Sequence, residues 1–399
     1  MQAIEEEAKA AYERLHGVPP ESVAFAPGRV EVLGNHTDHN GGYVLSVALE
    51  LGVAVAAGRL EALDPGEPPQ IEIRSEALNE SVSFPLLRIV REPGSWANYP
   101  RGVLLELWRA GVPLGGTRMV IASNLPIGAG VSSSAALELA TAEAMYALYG
   151  GRPARLMDEA LLCQRAETSF VGVPCGLLDQ FSSLFGKKNH ALFLDCATLR
   201  NSQVPFGRED LVVVLADSGE KHALVDGKYA ELRRSCEAAR AAFGLVLPEE
   251  VRFLRDVTVR DLENHGASLE PEDLPRAEHV IRENERVLRG LAAIKARFHA
   301  ELGRLMLASH ASSRDLLGNS TPALDLLVEE ASGLPGFVGA KLTGGGFGGS
   351  TVNIVERKLA DSFAAELAER FERRMGRKSN LLVSGIGDGA AGRRLDITP

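Results

Sequence analysis

The chain has 399 residues, of which 45% are hydrophobic and 24% charged, and its formal net charge is −10. This composition is typical of a globular protein of about two domains and excludes a disordered chain. The acidic balance argues against nucleic acid or an anionic membrane as the main partner, although a phosphate can still bind locally to main-chain amides. No apolar run reaches the roughly 18 to 20 residues of a membrane span, so we expect a cytoplasmic protein. The four cysteines match neither CxxC nor a disulfide framework in their spacing, so we expect reduced thiols.

Helices and strands are predicted throughout the chain from the spacing of apolar residues. In chain order we expect a helix in the acidic N-terminal segment, strands at 53–60, 71–75 and 80–84, helices at 96–111 and 132–150, a strand at 211–219, a helical region at 274–310, a strand at 350–356 and a helix at 359–376. This mixture predicts an α+β fold. The loop-rich region at 200–210 suggests a boundary between a first domain, 1–205, and a second, 206–399.

The segment 26–49, APGRVEVLGNHTDHNGGYVLSVAL, concentrates polar residues between glycines. His36, Asp38 and His39, which follow Arg29, could hold a metal, bind an anion or merely turn the chain. They match the second half of the HxHxDH pattern of dinuclear metal hydrolases. Gly34 stands where that pattern needs a histidine, and no later motif supplies the other ligands, so a metal hydrolase is disfavoured.

A second glycine-rich segment, NLPIGAGVSSSAALE, directly precedes a predicted helix. Gly128 and Gly130 are followed by three serines at the helix N-terminus. Free amides and hydroxyls there form a phosphate site, and a serine can also ligate a magnesium ion that bridges phosphates. The alternative is a serine that only caps the helix.

The third segment, GAKLTGGGFGGSTVNIV, contains Gly344, Gly346 and Gly349 in GxGxxG order. A dinucleotide fingerprint would lead into a helix, whereas these glycines lead into a predicted strand, so that interpretation fails. No GxxxxGK[ST] P-loop occurs. Two glycine-rich loops that converge on one phosphorylated ligand, or two surface turns, remain as interpretations.

In order and spacing, the three segments resemble the three motifs of the GHMP small-molecule kinases, and specifically those of the galactokinase branch. Four further segments share this resemblance, at 96–103, 163–181, 217–239 and 309–328. The resemblance thus covers nearly the whole chain. It implies a two-domain GHMP kinase fold: an N-terminal domain resembling part of a ribosomal protein, with the sugar and ATP phosphate loops, and a ferredoxin-like C-terminal domain with the third motif. The active site would lie in the cleft between them.

The resemblance also implies roles for individual residues. Asp179 would be the catalytic base, Arg29 would stabilise the transferring phosphoryl group, and Ser134 and Glu167 would ligate Mg²⁺. The implied sugar-contacting residues are Asn35, His36, Thr37, Asp38, Gly176 and Tyr229. The implied ATP-binding residues are Trp96, Gly128, Ala129, Gly130, Val131, Ser132, Ser133, Ser134, Gly345 and Gly346.

The expected activity is ATP-dependent phosphorylation of the anomeric hydroxyl of a hexose, with galactose as the first choice and no obligate protein partner. The chain departs from the family at Glu31, Asn35 and His39, where galactokinases have Asn, Glu and Tyr. Uncharged Asn35 predicts weaker discrimination against acidic or C6-modified sugars, so a kinase for galacturonate or another galactose-like sugar stays open. Glu31 is an alternative source of charge in the same space. A catalytically silent sugar sensor is a further alternative, which the intact candidate base, arginine and magnesium ligands disfavour.

Overall fold

The computed structural model describes residues 2–61, 66–126, 130–220 and 225–396. The α-helices are α1 Gln2–His16, α2 Asn98–Arg109, α3 Ser133–Tyr149, α4 Leu156–Arg165, α5 Leu178–Phe185, α6 Val225–Val246, α7 Val259–His265, α8 Asp273–Lys295, α9 His299–Ser312, α10 Pro322–Ser332 and α11 Ala360–Met375. The strands are β1 Ser22–Leu33, β2 Tyr43–Arg59, β3 Gln70–Ser75, β4 Glu80–Pro85, β5 Thr117–Ser123, β6 His190–Asp195, β7 Asn201–Pro205, β8 Leu211–Asp217, β9 Phe337–Leu342, β10 Ser350–Glu356, β11 Leu381–Ser384 and β12 Ala391–Arg394.

Eight strands form one sheet around the long strand β2. Its order is β12-β1-β2-β5-β3-β4, and β6 pairs with β2 and with β7. All pairs are antiparallel except β3 with β5. Strand β1 is buried along its whole length, because α3 packs against it, α1 covers its first part and α5, α8 and α9 also contact it. Alternation places Phe25 in the cluster with α1 and Ala24 in the main core.

Strand β1 has a bulge, at which its main chain contacts the residues just before α3. The register with β2 shifts between Pro27 and Arg29, as expected where a proline removes a ladder donor. A Cβ on Gly28 would lie 2.9 Å from the carbonyl oxygen of Val131, and the Arg29 amide donates to that oxygen at 3.1 Å. Arg29 therefore lies within the strand, at its bulge.

The second sheet has the order β11-β8-β10-β9, with antiparallel pairs throughout. Helices α10 and α11 cover one face of it in a separate core, and alternate residues of β8 and β10 on the other face join the main core. The last strand, β12, returns to the edge of the first sheet beside β1. The division at residue 205 remains a prediction.

The elements predicted from periodicity are confirmed. The helical region at 274–310 consists of two helices, and the chain breaks at Arg297, whose φ is +56°. Among the described residues, no helix is long and apolar enough to cross a membrane.

Candidate active site

One polar cavity of about 130 Å³ gathers residues from the first and the third glycine-rich segments. Its walls come from β1, the 34–42 loop, the segment before α5, α6 and the third motif. The lining residues are Arg29, Glu31, Asn35, His36, Asp38, Pro174, Cys175, Gly176, Leu178, Asp179, Tyr229, Gly344 and Gly345.

Asp179, in the first turn of α5, connects β1 to the start of α3. Its Oδ1 accepts hydrogen bonds from Arg29 Nε at 2.8 Å and Nη2 at 2.6 Å. Its Oδ2 accepts one from Ser132 Oγ at 2.6 Å. Arg29 also donates to the Gly130 carbonyl at 2.9 Å. A carboxylate paired with a guanidinium in this way is held in one orientation toward the cavity.

A second acidic group lies beside Ser134. Glu167 accepts hydrogen bonds from Ser134 and from Gln180 Nε2, the latter at 2.7 Å. Gln180 Nε2 also donates to Glu138 at 3.0 Å, and the other oxygen of Glu138 is buried without a partner. Burial and the charge of Asp179 raise the pKa of Glu167, while burial and the charge of Glu167 raise that of Glu138.

This excess of buried negative charge fits a bound divalent cation. Mg²⁺ prefers hard oxygen ligands and is commonly held by one or two protein groups together with substrate phosphates. Ser134 and Glu167 supply two such oxygens. No group of three or more His, Cys, Asp or Glu residues in the described parts of the chain could hold a metal by itself.

A separate apolar cavity of about 220 Å³ opens beside Ser133 and Ser134. Trp96 and Tyr99 line it together with aliphatic residues of β2, β5 and α3, and Trp96 Nε1 donates to Glu80 at 2.8 Å. A flat aromatic group would be buried well in such a cavity.

The 34–42 loop presents His36 and Asp38 to the polar cavity. His36 has a φ of +58°, its Nε2 contacts the Gly345 carbonyl at 3.1 Å, and its Nδ1 is buried without a partner. Burial, helped by His39, lowers the pKa of His36 to about 3, so the ring is neutral. With Nε2 as the donor, Nδ1 is left as an acceptor without a partner.

Asp38 is supported from two sides. His39 Nδ1 lies 3.2 Å from Asp38 Oδ1 and 3.3 Å from the Tyr229 hydroxyl, so these three groups form one cluster. A Cβ on Gly176 would lie 1.8 Å from Asp38 Oδ2, so any larger residue at position 176 would displace the Asp38 carboxylate. His39, where the family has tyrosine, therefore contacts two of the predicted ligand residues.

Asn35 does not offer a free amide to the cavity. Its Oδ1 accepts hydrogen bonds from Asn319 at 2.9 Å and Ser313 at 3.2 Å, and its Nδ2 donates to Gly344 at 2.9 Å. The remaining Nδ2 hydrogen faces Glu31 Oε2 at 3.5 Å.

Glu31 supplies a carboxylate at the same end of the cavity. It pairs with Lys341 at 2.6 Å, and both side chains are buried. Burial raises the pKa of Glu31, although the Lys341 ammonium opposes this shift.

Two cavities therefore hold most of the predicted residues. The polar cavity is lined by Arg29, Asn35, His36, Asp38, Gly176, Asp179, Tyr229 and Gly345, and the apolar cavity by Trp96, Ser133 and Ser134. Thr37 does not reach the polar cavity, because its hydroxyl bonds to the Gly34 and Tyr43 carbonyls. Val131 is buried, and Gly346 packs on the main chain of Asn319. Gly128 and Ala129 lie outside the described residues.

Several residues of this region are not among the predicted site residues. Glu31, predicted only as an alternative source of charge, and Gly344 line the cavity. Lys341, Asn319, His279 and Glu283, for which the sequence predicted no role, support its wall. For the last two a signal existed: they lie four residues apart, hence on one face of a helix, among apolar residues that predict burial.

Three family models match the chain. A galactokinase galactose-binding signature matches residues 10–59, a GHMP kinase N-terminal domain matches 98–187, and a GHMP kinase C-terminal model matches 291–373.

Full-length relatives agree with these models. The chain is 41% identical to a galactokinase of Roseiflexus sp. over 98% of this chain and 97% of the relative. It is 38% identical to the galactokinase of Homo sapiens over 96% and 95%. The structure of Lactococcus lactis galactokinase complexed with galactose superposes with a TM-score of 0.88 at 29% identity, covering 96% of this chain and 98% of that one. Methanococcus jannaschii mevalonate kinase shares the fold, with a TM-score of 0.66 at 18% identity over 94% and 98%. The chain therefore belongs to the galactokinase family of the GHMP kinases.

Proposed function

We propose that this protein transfers the γ-phosphoryl group of ATP to the anomeric hydroxyl of galactose. The observation that carries the proposal is the Arg29–Asp179–Ser132 group, which joins the polar cavity to the start of α3. Relatives about 40% identical over nearly their whole length are galactokinases, and the superposed structure holds galactose.

Asp179 takes the role of proton acceptor. An anomeric hydroxyl is more acidic than an ordinary alcohol, so a carboxylate within reach can accept its proton as the oxygen attacks phosphorus. The new O–P bond forms as the bond to ADP breaks, which gives galactose 1-phosphate and ADP. Arg29 stabilises the charge on the transferring group and keeps Asp179 oriented.

ATP binds across the start of α3. The apolar cavity beside Trp96 takes the adenine ring, and the amides and serines that begin α3 take the phosphates. Ser134 and Glu167 would hold Mg²⁺, which neutralises phosphate charge when bound.

A panel assay tests the proposal. Galactose, galacturonate, glucose, talose, arabinose, N-acetylgalactosamine and inositol are each incubated with ATP and Mg²⁺, and products are identified by mass spectrometry. We expect galactose 1-phosphate as the main product. A higher catalytic efficiency with another sugar would contradict galactose as the substrate, and nucleotide binding without any transfer would support a sugar sensor.

Galacturonate is the second candidate, because Asn35 replaces the family's glutamate. The position of Glu31 argues against it. Glu31 lines the cavity next to Asn35, and its ionised carboxylate would repel a uronate carboxylate by about 1 kcal/mol at 4 Å in water, a repulsion that the paired Lys341 ammonium reduces.

Variants at these two positions separate the candidates. We expect Glu31→Gln to shift the ratio of kcat/KM toward galacturonate by about tenfold, which corresponds to about 1.4 kcal/mol. The exchange variant Glu31→Asn with Asn35→Glu restores the family's order and keeps the galactose preference. A large shift caused by Asn35→Glu alone, with none in Glu31→Gln, would instead assign the discrimination to position 35.

A further inference from the structure

Helix α8 carries polar side chains that are buried against the 34–42 loop. His279 and Glu283 are fully buried, and both contact main-chain atoms about 245 residues earlier in the chain. Together with Arg286 they form what we call the α8 brace. None of the three lines the polar cavity.

Donor and acceptor can be assigned in the hydrogen bond between the α8 brace and the Asn35 carbonyl. Arg286 donates to Ser312 Oγ at 2.9 Å, and that hydroxyl lies 2.9 Å from His279 Nδ1. His279 Nε2 lies 3.0 Å from the Asn35 carbonyl oxygen, which only accepts. Nε2 therefore carries the proton, and Nδ1 accepts from Ser312. Burial lowers the pKa of His279 to about 4, which keeps this neutral form.

Glu283 holds the other side of the same peptide segment. Its Oε1 accepts hydrogen bonds from the amides of Gly34 at 2.9 Å and Asn35 at 3.3 Å. Ser309 donates to the same oxygen at 2.6 Å, and Arg286 to Oε2 at 2.5 Å. The main-chain donor and acceptor of Asn35 are thus both occupied by α8.

The next residue, His36, has the left-handed conformation that a non-glycine residue adopts at a cost. Such strain persists only where the surroundings hold the backbone in place. We propose that His279 and Glu283 are positioning residues: by fixing Asn35 they keep His36 in this conformation, at the wall of the polar cavity where the sugar would bind. The inference rests on the proposed function and extends it to residues that do not touch the substrate.

Two substitutions of His279 separate positioning from mere structural support. His279→Gln keeps a donor near the place of Nε2, whereas His279→Asn keeps only the place of Nδ1. We expect His279→Asn to raise the KM for galactose about tenfold, with the KM for ATP within twofold of wild type. His279→Gln should stay within about threefold for both substrates.

His299 offers a matched control. It is also buried, and its Nε2 contacts a main-chain carbonyl, that of Phe206 at 2.7 Å, away from the cavity. His299→Asn should lower thermal stability and leave both KM values unchanged. The proposal is overturned if folded His279→Asn keeps a wild-type KM for galactose, if both its KM values rise together, or if His299→Asn raises the galactose KM equally.

If His279→Asn does not fold, Ser312→Ala tests the positioning role of the α8 brace. It removes the donor to Nδ1 and should raise the KM for galactose severalfold; an unchanged value overturns the proposal. The wild type is assayed first. If it phosphorylates no sugar of the panel, the proposed function itself is contradicted. The proposal about the α8 brace is then tested only in variants of an enzyme shown to be active.

Discussion

At the scale of single residues, Asp179 has its two oxygens engaged by different partners, Arg29 and Ser132. Asp179→Asn keeps the shape of the side chain and removes its capacity to accept a proton. We expect kcat to fall by about a hundredfold or more, while the Kd of a non-hydrolysable ATP analogue stays within threefold. Single-turnover kinetics and calorimetry measure the two quantities. An Asn variant with near wild-type turnover would exclude Asp179 as the base.

Ser134 and Glu167 are tested by their shared dependence on magnesium. Ser134→Ala and Glu167→Gln each remove a hard oxygen ligand, so each should raise the Mg²⁺ concentration needed for half-maximal activity, by about tenfold. Thr168→Ala is the control: it also removes a hydroxyl, one that bonds to the Gln164 carbonyl, and should not change the titration. If Glu167→Gln titrates like wild type, Glu167 is not a ligand.

At the scale of elements, the contact of α9 with β9 depends on glycine. A Cβ on Gly303 would lie 1.7 Å from the Val338 carbonyl oxygen, and one on Gly339 would lie 2.5 Å from the Gly303 Cα. The helix and strand therefore pack main chain against main chain, which brings the start of the third motif close to α9.

Gly303→Ala should destabilise the protein by about 1–3 kcal/mol, because the helix must move off the strand. The matched change Gly244→Ala lies on the exposed surface of α6, where a Cβ meets nothing within 4 Å. It should stabilise by about 0.5–1 kcal/mol through helix propensity. Denaturant titration measures both. Equal effects of the two substitutions would show that the α9–β9 contact tolerates separation.

At the scale of the whole molecule, a buried carboxyl pair ties the end of the chain to α3. Glu143 Oε2 accepts from the amide of Gly392 in β12 at 3.0 Å, and Arg152 binds both Glu143 and Glu159. Burial and the charge of Glu159 raise the pKa of Glu143 to about 8. Folding thus favours the protonated form of this group.

Stability should therefore depend on pH in a defined direction. The contribution of Glu143 is fully present below the pKa of the unfolded chain, about 4.5, and is lost as pH rises through about 8. We expect the free energy of unfolding to fall between pH 5 and 9 more steeply in wild type than in Glu143→Gln, as measured by denaturant titration at each pH. Parallel pH profiles of the two proteins would contradict this assignment.

The sequence by itself determined about half of the helices and strands and the residues near the phosphates. Periodicity depends only on neighbours along the chain, so strands such as β10 and helices such as α11 were predictable. The residues of the second motif follow one another at the start of α3, and their proximity needs no tertiary information. Glu167 and Asp179 were placed by family resemblance, and the structure brings both beside that helix start.

Only the tertiary structure decided which polar groups are free to meet a ligand. The sequence shows an uncharged Asn35, but its amide is occupied by Ser313 and Asn319, which lie 278 and 284 residues further along the chain. Glu31 lines the cavity from strand β1 of the first sheet. Lys341, in β9 of the second sheet, forms an ion pair with it, which lowers the cost of burying the carboxylate. Whether a polar atom is free to bind a ligand depends on all the groups that pack against it. Those groups come from elements far apart in the sequence, and no local sequence pattern shows that these elements will be in contact.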